Sequence, residues 1–432
     1  MYSRLNNRSF FVSFKQFKIA TIILLFSLWA YSLSALAQEE KNNDSLNGNL
    51  TSSSQSVMRN MLDNLQIQGF ASQAFIATSA NDVFGNTDEG GSFGFTEVGL
   101  NALFRPLPRL QLSGQMLSRR AGRDNSGQPR LDFAFLDYRL YSEGTNQFGI
   151  RFGRLKNPFG FYNDTRDVAF TRPSILLPQS IYFDRTRNLG LSSDSIQFYG
   201  ETSLVDWGDL SFQFGIIRPI VDDRDTTASL IRNQVGDLSP DVSLIGRGLY
   251  ESADKRLRLA LSGIWLNVDY KPGIDDQLGP GSIQFSPIYV SAQYNTERWS
   301  LTSEYAIRHF HFRNFNDPRF DSLNFYGESF YFQGEFRLNH KWEALIRYDV
   351  LFTDKSDRDG SKFAALNRGP AHTRFAKDLT VGLRWNITPR IMARLEYHRI
   401  NGTGWLSPLD NPDSTTTSKN WNLYAAQLSF RF

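Results

Sequence analysis

The chain has 432 residues, a formal net charge of +3 and no cysteine. The nearly balanced charge gives no electrostatic reason to expect a nucleic-acid partner, and the absence of cysteine excludes a disulfide framework. The mean hydropathy of −0.38 is that of a soluble protein, yet 14% of the residues are aromatic and 36 are phenylalanine. A β-barrel with a polar interior and an apolar outer face reconciles these values.

The first 37 residues have the three parts of a secretory signal peptide. An apolar run at 19–33 is followed by the small-x-small sequence Ala35-Leu36-Ala37, and this run is shorter than the roughly 20 residues that a membrane-spanning helix needs. The basic residues that precede it are Arg4, Arg8, Lys15 and Lys18. We therefore expect export and cleavage near Ala37.

Residues 38–65 are polar and rich in serine and asparagine, without an apolar period. This composition predicts an N-terminal linker, in which 57–65 could form a short helix.

From residue 66 to 432 the pattern changes to segments in which polar and apolar side chains alternate, as in half-buried β-strands. The sixteen predicted strands are 66–77, 93–104, 109–119, 130–141, 146–154, 193–203, 208–218, 242–250, 256–269, 282–294, 298–312, 324–338, 341–352, 378–387, 390–400 and 421–432.

Short and long connections alternate between these strands. The long ones are 78–92, 120–129, 155–192, 219–241, 270–281, 313–323, 353–377 and 401–420. Tight periplasmic turns on one rim and longer extracellular loops on the other are typical of an up-and-down barrel in the outer membrane. The sequence therefore predicts an all-β fold, a 16-stranded antiparallel transmembrane β-barrel.

The alternation within each strand separates two faces. In the strand 341–352, Trp342, Ile346 and Tyr348 alternate with Glu343 and Arg347. A charge on the lipid face costs about 2–4 kcal/mol at the bilayer midplane, so we expect the charged set to face a water-filled lumen. The predicted lumen-lining residues are Arg109, Arg151, Arg247, Arg258, Arg308, Arg337, Arg347, Arg384, Arg394, Glu304, Glu335 and Glu396.

The last strand ends in the sequence QLSFRF at 427–432. It resembles the recognition signal of Gram-negative outer-membrane barrels, an amphipathic final strand with a C-terminal aromatic residue. This resemblance implies that the barrel-assembly machinery binds the strand through its outward residues, which are Tyr424, Leu428, Phe430 and Phe432.

A second resemblance lies after the fifth strand. The sequence GRLKNPFG at 153–160 is similar to the G-R-x-K-x-P-F-G segment of porins related to the phosphate-selective porin O/P family. The resemblance implies a 16-stranded barrel, usually a homotrimer, whose third extracellular loop folds into the lumen. Here that loop is 155–192, the longest connection of all, and long ordered loops are usually functional.

Selectivity in such a channel comes from the width of the lumen and the charges along it. In the predicted constriction loop, Arg185 and Arg187 could bind an anion, because guanidinium groups match carboxylate and phosphate oxygens. Alternatively, the charged groups pair with one another and only hold the loop in place. The charged candidates are Lys156, Asp164, Arg166, Asp167, Arg172, Asp184, Arg185 and Arg187.

The sequence offers no enzyme, metal or cofactor motif. There is no zinc motif, phosphate loop or nucleophile elbow. His309 and His311 share one strand face, so a metal pair is possible there, but they lie near a rim among aromatic residues.

The function expected from the sequence is therefore non-enzymatic. We expect an outer-membrane porin, a passive water-filled channel for small hydrophilic solutes with a weak preference for anions. Its expected partners are these solutes, outer-membrane lipid and the barrel-assembly machinery. The alternatives are a porin selective for phosphate or organic anions, and a structural or adhesive outer-membrane barrel that transports nothing.

Overall fold

The computed structural model describes residues 64–221, 224–231, 236–274, 276, 278–317 and 323–432. The predicted signal peptide and almost all of the predicted linker 38–65 lie outside these residues.

Sixteen strands follow one another along the described chain. They are β1 Leu65–Thr78, β2 Ser92–Leu107, β3 Leu110–Ala121, β4 Asn125–Glu143, β5 Asn146–Lys156, β6 Ser192–Leu204, β7 Gly208–Pro219, β8 in two segments (Asp237–Pro240 and Ser243–Ser252), β9 Leu257–Lys271, β10 Gly281–Asn295, β11 Trp299–Arg313, β12 Asn324–Arg337, β13 Trp342–Phe352, β14 Phe375–Asn386, β15 Ile391–Gly402 and β16 Asn420–Arg431.

The sheet closes on itself. Each strand pairs antiparallel with its sequence neighbours, and β1 pairs with both β2 and β16, so that Phe70 lies opposite Arg431. Both segments of β8 pair with β9, so they form one barrel strand with an interruption after Pro240. The predicted fold class, a 16-stranded antiparallel β-barrel, is confirmed. Among the described residues, no helix is both long and apolar enough to span a membrane.

One predicted long loop is wrong. The connection expected at 120–129 is a three-residue turn, because β3 continues to Ala121 and β4 begins at Asn125, directly opposite it. Gly127 has a φ of 86° in the extended hairpin, a conformation that favours glycine. The polar, glycine-containing sequence predicts a loop, yet the two strands continue to pair up to Ala121 and Asn125.

The two faces of each strand differ in exposure as the alternation predicts. In β16, Leu428 and Phe430 are 56% and 44% exposed, whereas Gln427 and Ser429 are buried inside the barrel. Tyr424 and Phe432 are outward and exposed as well. The apolar side chains therefore form the outer surface and the polar ones face the interior, the reverse of a soluble protein.

Basic residues also lie on the outer face, near the rim that carries the long loops. Some of them continue a series of outward apolar residues; Arg218, for example, follows the exposed Ile216 in β7. The set is Arg120, Arg154, Arg218, Lys271, Arg313, Lys377 and Arg399. Cations at this level end the apolar band, because long basic side chains reach polar surroundings from the edge of a membrane.

A β-bulge in β4 changes which side chains face the lumen. Gln115 of β3 lies opposite Phe133 and Met116 lies opposite Leu131, so Asp132 has no partner in the ladder. An extra residue shifts the alternation by one position. Phe133 and Phe135 therefore share the inner face with Gln115, although their spacing from Leu131 alone predicts a common outer face.

The assignment of faces predicts that two substitutions in β7 differ in their effect on the free energy of unfolding. Phe214 is exposed on the outer face and Ser211 is on the inner face. We expect Phe214→Arg to lower the free energy of unfolding from lipid vesicles by about 2–4 kcal/mol, and Ser211→Arg to change it little. Reversible urea unfolding in vesicles measures both values, and equal destabilisation by the two variants would contradict the assignment.

Candidate functional site

The longest connection, residues 157–191, lies inside the barrel and is here called the inner loop. It contains two 3-10 turns, Asn163–Thr165 and Ala169–Thr171, and one helical turn, Arg187–Leu191. Its hydrogen bonds go to inward side chains of β2, β8, β9, β11, β13 and β15. The loop therefore crosses the lumen from the β5–β6 wall to the opposite wall.

Glu304 of β11 holds the first part of the inner loop. It accepts hydrogen bonds from the backbone N–H of Phe161 at 3.0 Å and from the Tyr182 hydroxyl at 2.6 Å. Ser291 and Tyr331 of the wall donate to the same carboxyl at 2.6 and 2.8 Å. Burial and the neighbouring Glu304 raise the pKa of Tyr182 well above its ordinary value, so its hydroxyl remains a donor.

Two further wall carboxylates bind loop backbone. Glu396 of β15 accepts from the N–H groups of Ile175 and Leu176, and Asp349 of β13 accepts from Ser180 at 3.3 Å. His398 lies beside Glu396 and contacts Asp378 through Nδ1 at 2.9 Å. Backbone N–H groups paired with carboxylates fix the path of the loop without requiring particular loop side chains.

Arginines of the same wall bind the loop carbonyls. Arg347 donates to the Leu176 carbonyl at 3.0 Å and to the Ser174 hydroxyl at 2.9 Å, and Arg394 donates to the Ala169 carbonyl at 2.7 Å. Both side chains are almost fully buried beneath the loop. Predicted as lumen-lining charges, they lie on the wall but function as loop attachments.

The far end of the loop meets β2 and β3 in a charged network. Arg172 donates to Glu97 at 2.6 Å, Arg119 donates to Asp184 at 2.8 Å, and Arg166 donates to the Tyr182 carbonyl at 2.9 Å. Burial lowers the pKa of Arg166 to about 10, and the carboxylate of Asp184 opposes that effect. Each of these cations thus lies beside a carboxylate, although Arg119 and Arg166 share Asp184.

The bulge residue Asp132 forms the base of the network. Lys156 lies 2.6 Å from Asp132 and also contacts Asp167, which in turn pairs with Arg187. Arg187 is buried, and Arg185 lies over the ring of Phe183. The two arginines do not form an exposed anion-binding cluster, because ion pairing within the loop neutralises Arg187.

Other predicted residues lie on the open part of the inner wall. Arg247 pairs with Asp164 at 2.5 Å and Arg151 pairs with Asp137 at 2.9 Å. Arg258 lies over the ring of Phe161. Arg384 and Glu335 are inward near the short-turn rim, and Arg308 is buried over Phe183.

Two predicted positions need correction. Arg109 is exposed in the turn between β2 and β3, not on the wall. Arg337 is inward but lies at the rim, where it donates to the carbonyls of Thr296 and Glu297 at 3.0 Å. Both residues lie at or beyond the end of a strand, where the alternation of inward and outward side chains no longer decides the environment of a residue.

Sequence reasoning missed Arg119, Asp132 and Tyr182 as parts of this site. Arg119 is the last residue of the predicted strand 109–119. Its charge at an inward-facing position of that strand is a signal from which it could have been predicted. Asp132 depends on a bulge, and Tyr182 depends on where the loop folds, so neither has a local signature.

No cluster of three or more His, Cys, Asp or Glu side chains that could hold a metal ion occurs in the described ranges. His309 and His311 are on the outer face of β11, where His309 stacks on Tyr326 and Arg313 donates to His311.

Outside the lumen, the turn 122–124 contacts the loop 403–419. Ser407 donates to Asp124, and Asp410 accepts from the backbone of Phe84 and Arg123 at 3.0 Å. Burial and the nearby Asp410 raise the pKa of Asp124 to about 7.

No family model matches the chain, and no curated protein matches it. Solved structures do match across the barrel. An anion-selective porin from Comamonas acidovorans has a TM-score of 0.55 and 11% identity over 85% of this chain and 99% of that chain. The outer membrane protein OmpT of Vibrio cholerae, in a trimer form, gives 0.52 and 11% over 85% and 99%. The outer membrane channel DcaP of Acinetobacter baumannii gives 0.51 and 12% over 85% and 97%.

At these identities the likeness shows the fold, which is that of 16-stranded outer-membrane barrels. The structural neighbours are outer-membrane porins and channels, whereas membership of the phosphate-selective family stays a prediction.

The contacts of Glu304 predict a looser inner loop when they are removed. We expect Glu304→Ala to make the loop accessible to protease and to lower the free energy of unfolding by about 3 kcal/mol, since charged hydrogen bonds are lost. Glu343→Ala, an inward carboxylate without loop contact, is the matched control. Limited proteolysis with mass mapping of 157–191 measures the effect, and equal protection in both variants would exclude Glu304 as an anchor.

The raised pKa of Asp124 predicts a pH-dependent contact between the turn 122–124 and the loop 403–419. An acid whose folded pKa is raised stabilises the folded contact below its ordinary pKa, and this contribution is lost as the pH rises from 3.8 to about 7. We therefore expect hydrogen exchange in 403–419 to gain protection as the pH falls through this window, after correction for the intrinsic rate. Asp124→Asn should flatten that dependence, whereas Asp413→Asn, an exposed carboxyl in the same loop, should leave it unchanged. A wild-type slope retained in Asp124→Asn would refute the assignment.

Proposed function

We propose that the chain is an outer-membrane porin, a passive channel for small hydrophilic solutes. The observation that carries the proposal is the inner loop itself, which crosses the lumen of a closed barrel and is attached to the opposite wall by Glu304, Glu396 and Arg394. An attached loop narrows a lumen without closing it by a moving lid. Structural neighbours that are described as a porin and an outer membrane channel support the same function.

The proposed weak anion preference rests on which charges water reaches. Arg258 and Arg384 of the wall below the loop are 33% and 22% exposed in their side chains, while their respective partner carboxylates Glu251 and Glu343 are 30% and 17% exposed. The charged groups under the loop are buried and paired. In each of these two pairs the arginine is slightly more exposed than its carboxylate, and lining charge sorts ions in channels. One neighbour, the Comamonas porin, is described as anion-selective.

A phosphate- or organic-anion-selective porin is the second candidate. It is disfavoured because Arg172 and Arg187 are already bound to Glu97 and Asp167, so a phosphate would have to displace a carboxylate. A non-transporting structural or adhesive barrel is the third candidate, and it differs from a porin in one measurable property, conductance.

The remaining proposals concern location and assembly. We place the chain in the outer membrane with its long-loop rim outside, because the outward cations such as Arg218 and Arg399 end the apolar band there. The final strand, with Phe430 and Phe432 exposed to lipid, is the proposed signal for the barrel-assembly machinery. A homotrimer is proposed because a neighbouring structure has a trimer form.

Reconstitution into planar bilayers tests the channel and its selectivity. We expect stable conductance steps and a reversal potential in a KCl gradient that indicates a modest excess of chloride permeability. Arg258→Gln should shift that potential toward cation preference, since it removes an exposed lumen cation. Arg399→Gln, which removes the same charge on the outer face, should not. A bilayer that shows no conductance steps would refute the proposed channel function. A clear cation preference of the wild type would refute the proposed anion preference.

A further inference from the structure

A cavity of about 280 Å³ lies between the inner loop and the wall formed by β2 to β7. It is lined by aromatic, amide and charged side chains from six adjacent strands and by one loop residue, Asp164. Among the described ion pairs of its lining residues, only those of Lys156 with Asp167 and of Asp164 with Arg247 connect the loop to the wall, so the loop leaves much of this surface open.

One surface of the cavity is apolar. Phe133 and Phe135 lie along β4 with ring centroids 5.8 Å apart, and Leu103 of β2 is beside them. Both phenylalanine side chains are only partly buried. In a lumen that is otherwise polar they are turned inward by the bulge at Asp132, and large apolar side chains exposed to water inside a channel are costly unless they contact a ligand.

The charged groups of the cavity are already neutralised. Lys156 pairs with Asp132 at 2.6 Å, Arg151 with Asp137 at 2.9 Å, and Asp164 with Arg247 at 2.5 Å. A ligand with a net charge would need an uncompensated partner of opposite sign, and these pairs provide none. The cavity therefore favours a neutral molecule.

Hydrogen-bonding groups face the apolar surface. The amides of Asn101, Gln197 and Gln213 line the cavity. Gln197 donates to the Lys156 carbonyl at 3.3 Å and Gln213 accepts from Arg247 at 2.8 Å, so each keeps its other amide atom for a ligand. Asp164 Oδ1 is buried and accepts no hydrogen bond from the described residues. Amides both donate and accept, and a free carboxylate oxygen accepts from hydroxyl groups. A site with a few placed polar groups against an apolar surface fixes the orientation of a small molecule.

From this arrangement, and resting on the proposed channel function, we infer that the cavity is a binding subsite for a neutral sugar ring. The rings of Phe133 and Phe135 are tilted by 40°, so the flat C–H face of a pyranose packs on one ring while its rim contacts the other. Its edge hydroxyls then bind the amides and Asp164. The volume, at the lower limit of small-molecule sites, suits one ring and not a long oligosaccharide.

Ion-current measurements with glucose test the inference. We expect the KCl current through the reconstituted channel to fall with glucose and to saturate, as for a single binding site. Sorbitol, an open-chain polyol of nearly the same size, should only lower the current in proportion to viscosity because it has no rigid apolar face. Equal saturation by glucose and sorbitol would overturn a ring-specific site, and stronger block by benzoate than by glucose would assign the cavity to organic anions instead.

Two pairs of variants separate the cavity from the rest of the barrel. Phe133→Leu with Phe135→Leu keeps apolar bulk but removes the flat surface, and should raise the half-saturating glucose concentration about tenfold, corresponding to about 1.4 kcal/mol of lost stacking. Phe330→Leu with Phe332→Leu changes a similar Phe-x-Phe pair whose rings are 6.0 Å apart on the lipid face, and should leave glucose binding unchanged. Equal effects of the two pairs would overturn the site.

A binding measurement that needs no conductance separates the two proposals. Calorimetric titration of glucose into the full chain in detergent should show saturable binding that the Phe133→Leu/Phe135→Leu variant weakens. Binding in a chain that does not conduct would refute the channel and keep the subsite. Conductance without binding would keep the channel and refute the subsite.

Discussion

The whole structure depends on pairing every backbone N–H and C=O group that lies in lipid. An open sheet fails this requirement at its two edges, and the chain meets it by pairing β1 with β16 from Phe70–Arg431 to Thr78–Leu423. Closure also separates two environments, because each strand then has one face toward lipid and one toward an enclosed lumen. The charged residues of a chain with ordinary hydropathy can remain in the membrane only because the second environment exists.

The inner loop uses that enclosed environment. Its attachments are charged groups of the wall, such as Glu304 and Arg394, which bind its backbone. Buried charges are tolerated when they are paired and hydrogen-bonded, and the loop supplies the partners. The same contacts fix the path of the loop across the lumen. Some of the wall charges predicted to sort solutes therefore hold the loop in position instead. The proposed selectivity then rests on the smaller set of arginines below the loop, among them Arg258.

A single inserted residue connects the fold to the proposed solute site. The bulge at Asp132 turns Phe133 and Phe135 inward and, at the same time, directs the Asp132 carboxylate to Lys156 at the base of the loop. Without it, the two rings would join the lipid face, where the next outward series of β4, Leu136 and Tyr138, begins. The apolar surface in the lumen and the attachment of the loop to Asp132 therefore both result from the same β-bulge.

The sequence by itself determined the strand number, the approximate positions of the strands and the inward and outward faces of regularly alternating strands. These properties follow from local alternation, which a lipid face and a wet face impose on each strand separately, as in β16 with Leu428 outward and Gln427 inward. Tertiary structure decided whether Arg347 lines the channel or lies under the loop, that Arg109 belongs to a turn, and that 120–129 is a hairpin. Those outcomes depend on contacts between residues far apart in the chain, such as Arg347 and Leu176, or on one unpaired residue in a ladder, and neither leaves a periodic signal in the sequence.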